Sequence, residues 1–189
     1  MGIYYCSTLG IVEIPLIKRL SGKTDGFEPF TGRKYIIIII GVVASAILFS
    51  VILFKLTSPG LSDAVKQLSE SQGVKLGISE EPSVLLALIV VAFAFSEEII
   101  FRLGIQNYLA KQFRLTGNRY WVAVILTSGL WSLAHANILN PEWVKIVQIF
   151  PLGIALGFLF KKYGLESCIL AHGIFNLSMM GLGSYLIQM

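Results

Sequence analysis

Tyr35–Phe54 reads YIIIIIGVVASAILFSVILF, twenty residues without a charge. A bilayer-spanning helix needs about 20 predominantly apolar residues, so this run alone places the chain in a membrane. The isoleucines Ile36 to Ile40 are poor helix formers in water. In hydrocarbon, however, the backbone has no solvent to bond and the helix satisfies it internally, so the run is acceptable there. The whole composition agrees: 55% of the 189 residues are hydrophobic and only 14% are charged, with a mean hydropathy of +0.75. Soluble domains run near 45–50% apolar and about 25% charged.

Outward from that run, four further spans are predicted. The second starts after Pro82 and extends from Ser83 to about Ala110. The third covers Tyr120 to Asn140 and is stopped by Pro141. The fourth, about Val144 to Phe160, contains Pro151 and is expected to kink there. The fifth runs from about Glu166 to the C-terminus. The fold class is therefore all-α, a polytopic transmembrane helix bundle of about five spans. Residues 1–34 open with an apolar stretch, Ile3 to Ile17, interrupted by Glu13 and Pro15. It reads as an interfacial N-terminal segment or half-helix, the alternative being a sixth span. Residues 35–189 form the transmembrane domain, with a functional core at about 83–180. Residues 55–82 are expected to be an outer loop holding a short amphipathic helix, with Leu61, Val65 and Leu68 on one face.

Charge orients the spans. Lys18, Arg19, Lys23, Arg33, Lys34, Lys111, Arg114, Arg119, Lys161 and Lys162 fall on one side; Lys55, Lys66, Lys75 and Lys145 fall on the other. The positive-inside rule puts the N-terminus in the cytoplasm and the C-terminus outside. A cleavable signal peptide is not expected, because the basic residues follow the first apolar stretch. Cys6 and Cys168 are too far apart and too few for a disulfide framework or a zinc knuckle. There is no internal repeat, low-complexity tract or nucleic-acid patch, so nucleic acid is not an expected partner. Gly153 and Gly157 form a Gly-x-x-x-Gly pair, read as close helix packing inside the bundle in preference to a dimer interface.

Five ionisable groups and one amide break the apolar pattern: Glu97, Glu98, Arg102, His135, His172 and Asn176. A charge near the bilayer centre costs roughly 2.5–3.5 kcal/mol, so an ionisable group there points to a functional site. Glu98 and Arg102 are four apart on one helix and can pair. Glu97 lies about 100° around that helix and has no such partner, which suits a general base that must take and return protons. Trp131 and His135 share a face one turn apart. His172 and Asn176 do the same, and two donors on one face can bind a developing oxyanion. Each group alone has a plainer reading: a buried ion network, a satisfied core histidine, an interhelical hydrogen bond. Their joint presence in three spans favours a hydrolytic site.

The ordered set Glu-Glu-x-x-x-Arg, aromatic-x-x-x-His and His-x-x-x-Asn, each in a separate membrane helix, resembles the CPBP family of CAAX prenyl endopeptidases and bacteriocin-processing or abortive-infection proteins. The resemblance covers about residues 83–180. Trp131 stands where the family usually carries phenylalanine, and the chain is short for the family. The resemblance implies an intramembrane glutamic protease. Glu97 would activate a water, His135 would position it or shuttle its proton, and His172 and Asn176 would stabilise the oxyanion, with Glu98 and Arg102 in support. It implies no metal or cofactor, and a peptide or prenylated-protein substrate presented at the lipid bilayer. Three other readings stay open: a metal site on Glu97, His135 and His172, a non-catalytic scaffold or bacteriocin-immunity protein, and a proton-coupled transporter.

Overall fold

The computed structural model describes residues 33–63, 65–67 and 84–187. Within them lie five helices long and apolar enough to cross a membrane, and the chain is an integral, multi-pass membrane protein. Helix α1 is Arg33–Thr57. Helix α2, Val84–Glu98, continues without a break into a π-helical segment, Ile99–Gln106, and a short helix α3, Asn107–Gln112. Helix α4 is Tyr120–Leu133, α5 is Glu142–Tyr163 and α6 is Leu165–Ile187.

The isoleucine run behaves as a lipid-facing surface should. Ile36, Ile37 and Ile40 are exposed, while Ile39 and Val43 turn inward. Helix α5 lies at the centre, packed on α1, α4 and α6, and α2 packs against α6. The core joins Leu152, Leu156, Leu159 and Phe160 of α5 to Leu165, Cys168 and Ala171 of α6 and to Trp131 of α4. Cys168 is a core residue whose Sγ donates to the Leu156 carbonyl; Cys6 lies outside the described residues. Pro151 is tolerated on the exposed side of α5, which is assigned as helix from Glu142 to Tyr163. Gly164, at φ +89°, makes the tight turn from α5 to α6 in a backbone region open to glycine.

The two glycines of α5 face α4, not an outer surface. A Cβ on Gly157 would lie 2.7 Å from Val124 Cγ1, and one on Gly153 would lie 3.0 Å from both Ser128 Cβ and Trp131 Cε3. Close packing inside the bundle is what this pair does.

Three expectations need correction or delimiting. Leu61 is not on a helix: Gly60–Leu61 (β1) pairs antiparallel with Leu139–Asn140 (β2), in register Gly60 to Asn140 and Leu61 to Leu139. Two residues per strand leave no alternation for a sequence to show. Helix α4 ends at Leu133, so His135 sits in the turn beyond the helix, not in it. The N-terminal segment, residues 1–32, and Leu68 lie outside the described residues.

Candidate active site

The π-helical segment and the residue before it carry three polar groups that lie between helices. Residues four apart on a helix share one side of it. Glu98, Arg102 and Gln106 are accordingly all buried, and this face is covered by α4, α5 and α6. π-Helical turns often mark functional sites, because the extra residue disrupts regular helix packing and is kept for a reason.

Glu98 is the inner carboxylate. One oxygen accepts from His172 Nδ1 at 2.9 Å. The other lies 3.2 Å from Arg102 Nε, a contact of ion-pair distance without hydrogen-bond alignment. The Arg102 guanidinium also lies over the Trp131 ring, 5.3 Å from its centroid, where the aromatic face attracts the cation. The pairing read from the i, i+4 spacing is thus present and fully enclosed. Below it, Gln106 donates to Tyr120 Oη at 3.0 Å and to the Gly157 carbonyl at 3.2 Å. That tie holds the π segment against α4 and α5.

Glu97 is the outer carboxylate, half-buried. It has no partner on its own helix, as the sequence implies, yet α4, the turn after it and α6 supply three. Trp131 Nε1 donates to Oε2 at 2.7 Å. His135 Nε2 lies 3.6 Å from Oε1, and His172 Nε2 lies 3.9 Å from Oε2. The two histidine separations are too long for direct hydrogen bonds. They bring both imidazoles to face one carboxylate.

Each imidazole is oriented by its other nitrogen. His135 Nδ1 is 2.8 Å from the Trp131 carbonyl. A carbonyl only accepts, so Nδ1 carries the hydrogen there. The same reasoning puts the His172 hydrogen on Nδ1, facing the Glu98 carboxylate. In the neutral form, both histidines therefore turn a bare Nε2 toward Glu97. The indole lies edge-on to both rings, with centroids 5.3 Å from His135 and 5.2 Å from His172. Gly153 leaves room for that indole against α5.

Asn176, half-buried, follows His172 by one turn of α6 on the same side of the helix. The structure thus joins Glu97, Glu98, Arg102, His135 and His172 in one cluster, with Asn176 one turn along. Sequence reasoning missed the role of Trp131, which it took only as an aromatic neighbour of His135. The signal was the residue type: among the aromatic hydrocarbon-like rings, tryptophan alone adds an N–H donor. Among the described residues, no group of three His, Cys, Asp or Glu side chains is arranged to hold a metal ion.

A family model described as Type II CAAX prenyl endopeptidase Rce1-like matches residues 79–178, more than half of the chain. The sporulation-killing factor biosynthesis protein SkfC of Bacillus subtilis (strain 168) is 32% identical over 85 residues, which is 44% of this chain. The matched stretch is only 16% of that protein's length. No solved structure matches.

Proposed function

Since the chain belongs to the Type II CAAX prenyl endopeptidase Rce1-like family, a family of membrane proteases, we propose that it hydrolyses a peptide bond of a membrane-associated substrate with a water activated by Glu97. The observation that carries this reading is the contrast within the glutamate pair. Glu98 is sealed between Arg102 and His172, while Glu97 is half-open and faced by two imidazole nitrogens.

The hydrogen accounting supports a water beside Glu97. With Nδ1 of His135 committed to the Trp131 carbonyl, Nε2 of the neutral ring and the Glu97 carboxylate are both acceptors, and a group that donates to both fits between or beside them. A water does so with its two hydrogens, leaving an oxygen lone pair for attack. Glu97 takes a proton from that water as its oxygen adds to the peptide carbonyl carbon. The carboxylic acid so formed returns the proton to the leaving amine as the tetrahedral intermediate collapses.

The Asn176 amide can donate to the oxyanion in any protonation state of the site. His172 can do so from Nε2 only as imidazolium, because Nδ1 is already engaged by Glu98. Arg102 and Glu98 then hold the π segment and His172, and Trp131 holds Glu97. The substrate class is a peptide tail, with or without a prenyl group, presented at the bilayer. The distribution of basic residues supports a cytoplasmic N-terminus.

The test is cleavage of a quenched fluorescent prenylated peptide by purified wild-type and Glu97→Gln protein, each with and without a chelator. The expected result is cleavage by wild type that is insensitive to chelator and lost in Glu97→Gln. Chelator-sensitive cleavage would move the site to metal chemistry. Full activity of Glu97→Gln would remove the glutamate from the mechanism.

A further inference from the structure

Between α1 and α5 lies a groove of about 580 Å³ whose lining includes none of the candidate site residues. Helix α1 lines it with Ile38, Gly41, Ser45 and Phe49, and α5 with Gln148, Leu152 and Ala155. Steps of three and four residues keep each set on one side of its helix, so the groove runs lengthwise along the pair. At the helical rise of 1.5 Å per residue it is about 10–16 Å long. Its mean cross-section is then on the order of 35–55 Å², about half that of an α-helix 10–12 Å across with its side chains. An extended hydrocarbon chain fits it and a helix does not. Gly41 and Ser45 are exposed, so the groove opens outward, and a Cβ on Gly41 would meet nothing within 4 Å.

One end of this apolar groove is polar. Gln148 is buried there; its Nε2 donates to Ser50 Oγ at 3.0 Å, and Ser50 Oγ donates to the Ala46 carbonyl at 2.8 Å. That carbonyl only accepts, so the direction of the chain is set and the Gln148 amide oxygen is left to accept from elsewhere. Lys145 Nζ donates to it at 3.0 Å. Lys145 precedes Gln148 by three residues and so carries the lining side of α5 one turn beyond the groove.

That turn is where α5 begins its span, at Glu142. Trp143 in the same turn is exposed, and tryptophan is enriched at the headgroup level of a bilayer. Lys145 is half-buried, and a lysine so placed lays its stem on apolar surface and keeps its charge toward the headgroups. Gln148 uses one of its three ammonium hydrogens. Among the described residues no carboxylate lies within ion-pair distance of it.

We propose that the α1–α5 groove with Lys145 is a binding site for an anionic phospholipid, one hydrocarbon chain in the groove and the phosphate on the Lys145 ammonium. In a bilayer one alkyl chain is as apolar as the next, so the groove alone selects nothing. The cation at its mouth selects the headgroup, and its tie to Gln148 has already met part of the cost of orienting it. In phosphatidylcholine the quaternary ammonium offsets the phosphate charge, which makes that lipid the weaker ligand. The site is independent of the peptidase reading.

The test is native mass spectrometry of the purified full chain in detergent, titrated with phosphatidylglycerol, with phosphatidylcholine of the same chains, or with glycerol phosphate. A lysine near a membrane surface contributes about 1 kcal/mol toward an anionic lipid, so wild type is expected to bind phosphatidylglycerol about fivefold more tightly than phosphatidylcholine. Its melting temperature should rise with phosphatidylglycerol concentration, and glycerol phosphate should not compete. Lys145→Gln keeps a donor for Gln148 and removes the charge; it should bring the ratio to about one, while Lys145→Arg keeps the preference. Gly41→Leu places a side chain in the open space and should weaken both lipids while leaving their ratio unchanged.

Four outcomes overturn the proposal. Equal binding of the two lipids by wild type, or a preference that survives in Lys145→Gln, would take the headgroup away from Lys145. Unchanged binding by Gly41→Leu would take the chain out of the groove. Displacement of the lipid by glycerol phosphate would make this a site for soluble phosphate. Loss of a dimer mass in Gly41→Leu, with lipid binding unchanged, would give the groove to a second copy of the chain. None of these readouts needs turnover, so they stand whether or not the protein cleaves the test peptide.

Discussion

Glu97 and Glu98 are joined by one peptide bond and live in different surroundings. The side chain of Glu98 is 0% exposed and lies within reach of Arg102 and His172; that of Glu97 is 26% exposed and faces His135, which is itself 20% exposed. One helical step, about 100°, takes the first carboxylate into a closed ion network and the second to the open side of the same wall. The comparison teaches that a pair of charges in a membrane helix can divide the work. In the mechanism proposed above, Glu98 is neutralised and braces the bundle while Glu97 serves as the base. Glu97→Gln is the largest break in that division. It is expected to lower hydrolysis by about 10²–10⁴ or more, with a thermal midpoint within a few degrees of wild type.

The inner half is broken by Arg102→Ala. Removing the guanidinium strands Glu98 as a buried carboxylate, with His172 its one remaining partner, and breaking one side of a buried pair costs about 3–5 kcal/mol. The expected result is a clear fall in the detergent melting temperature. The double variant Arg102→Met with Glu98→Gln should recover part of that loss, since it removes both charges together. If Arg102→Ala melts with wild type, Glu98 is not braced by this pair and the contrast between the two glutamates loses its inner term.

Asn176→Ala sharpens the outer half. Loss of one oxyanion donor typically costs about 10²–10³ in rate, and single-turnover cleavage of the same peptide would read it. The expected residual activity distinguishes a donor from a base. Complete loss with the fold intact would mean that Asn176 does more than donate one hydrogen bond, and no loss would remove it from the oxyanion site.

Much of this was legible in the chain. The spans follow from apolar length: Tyr35–Phe54 predicts a helix that the structure extends to Arg33–Thr57, and the Glu98–Arg102 pair follows from i, i+4 spacing. The wider π turn was not legible, because Ile99 to Gln106 has the same apolar periodicity in either helix type. The β1–β2 ribbon escaped for want of length. The position of His135 beyond the end of α4 escaped because Ala136, Ile138 and Leu139 continue the apolar run past the point where the helix stops. The partners of Glu97 come from α4, the turn after it and α6, and no spacing rule on one helix reports a neighbour from another.

Trp131 carries the smallest expected effect and the finest test of the glutamate contrast. Its Nε1 bond to Glu97, at 2.7 Å, is the shortest contact that either glutamate makes with a side chain of the cluster. Trp131→Phe keeps an aromatic ring between His135 and His172 and under Arg102, and removes only the donor and some volume. A hydrogen bond to a charged group contributes about 1.5–3 kcal/mol, so kcat/KM is expected to fall by roughly ten- to a hundredfold. Trp131→Leu, which also removes the ring from two imidazoles and a guanidinium, should cost more and lower the melting temperature as well. Were Trp131→Phe to cleave as fast as wild type, the indole N–H would not be what holds Glu97. The openness of that carboxylate would then rest on the two histidines alone, which approach it no closer than 3.6 Å.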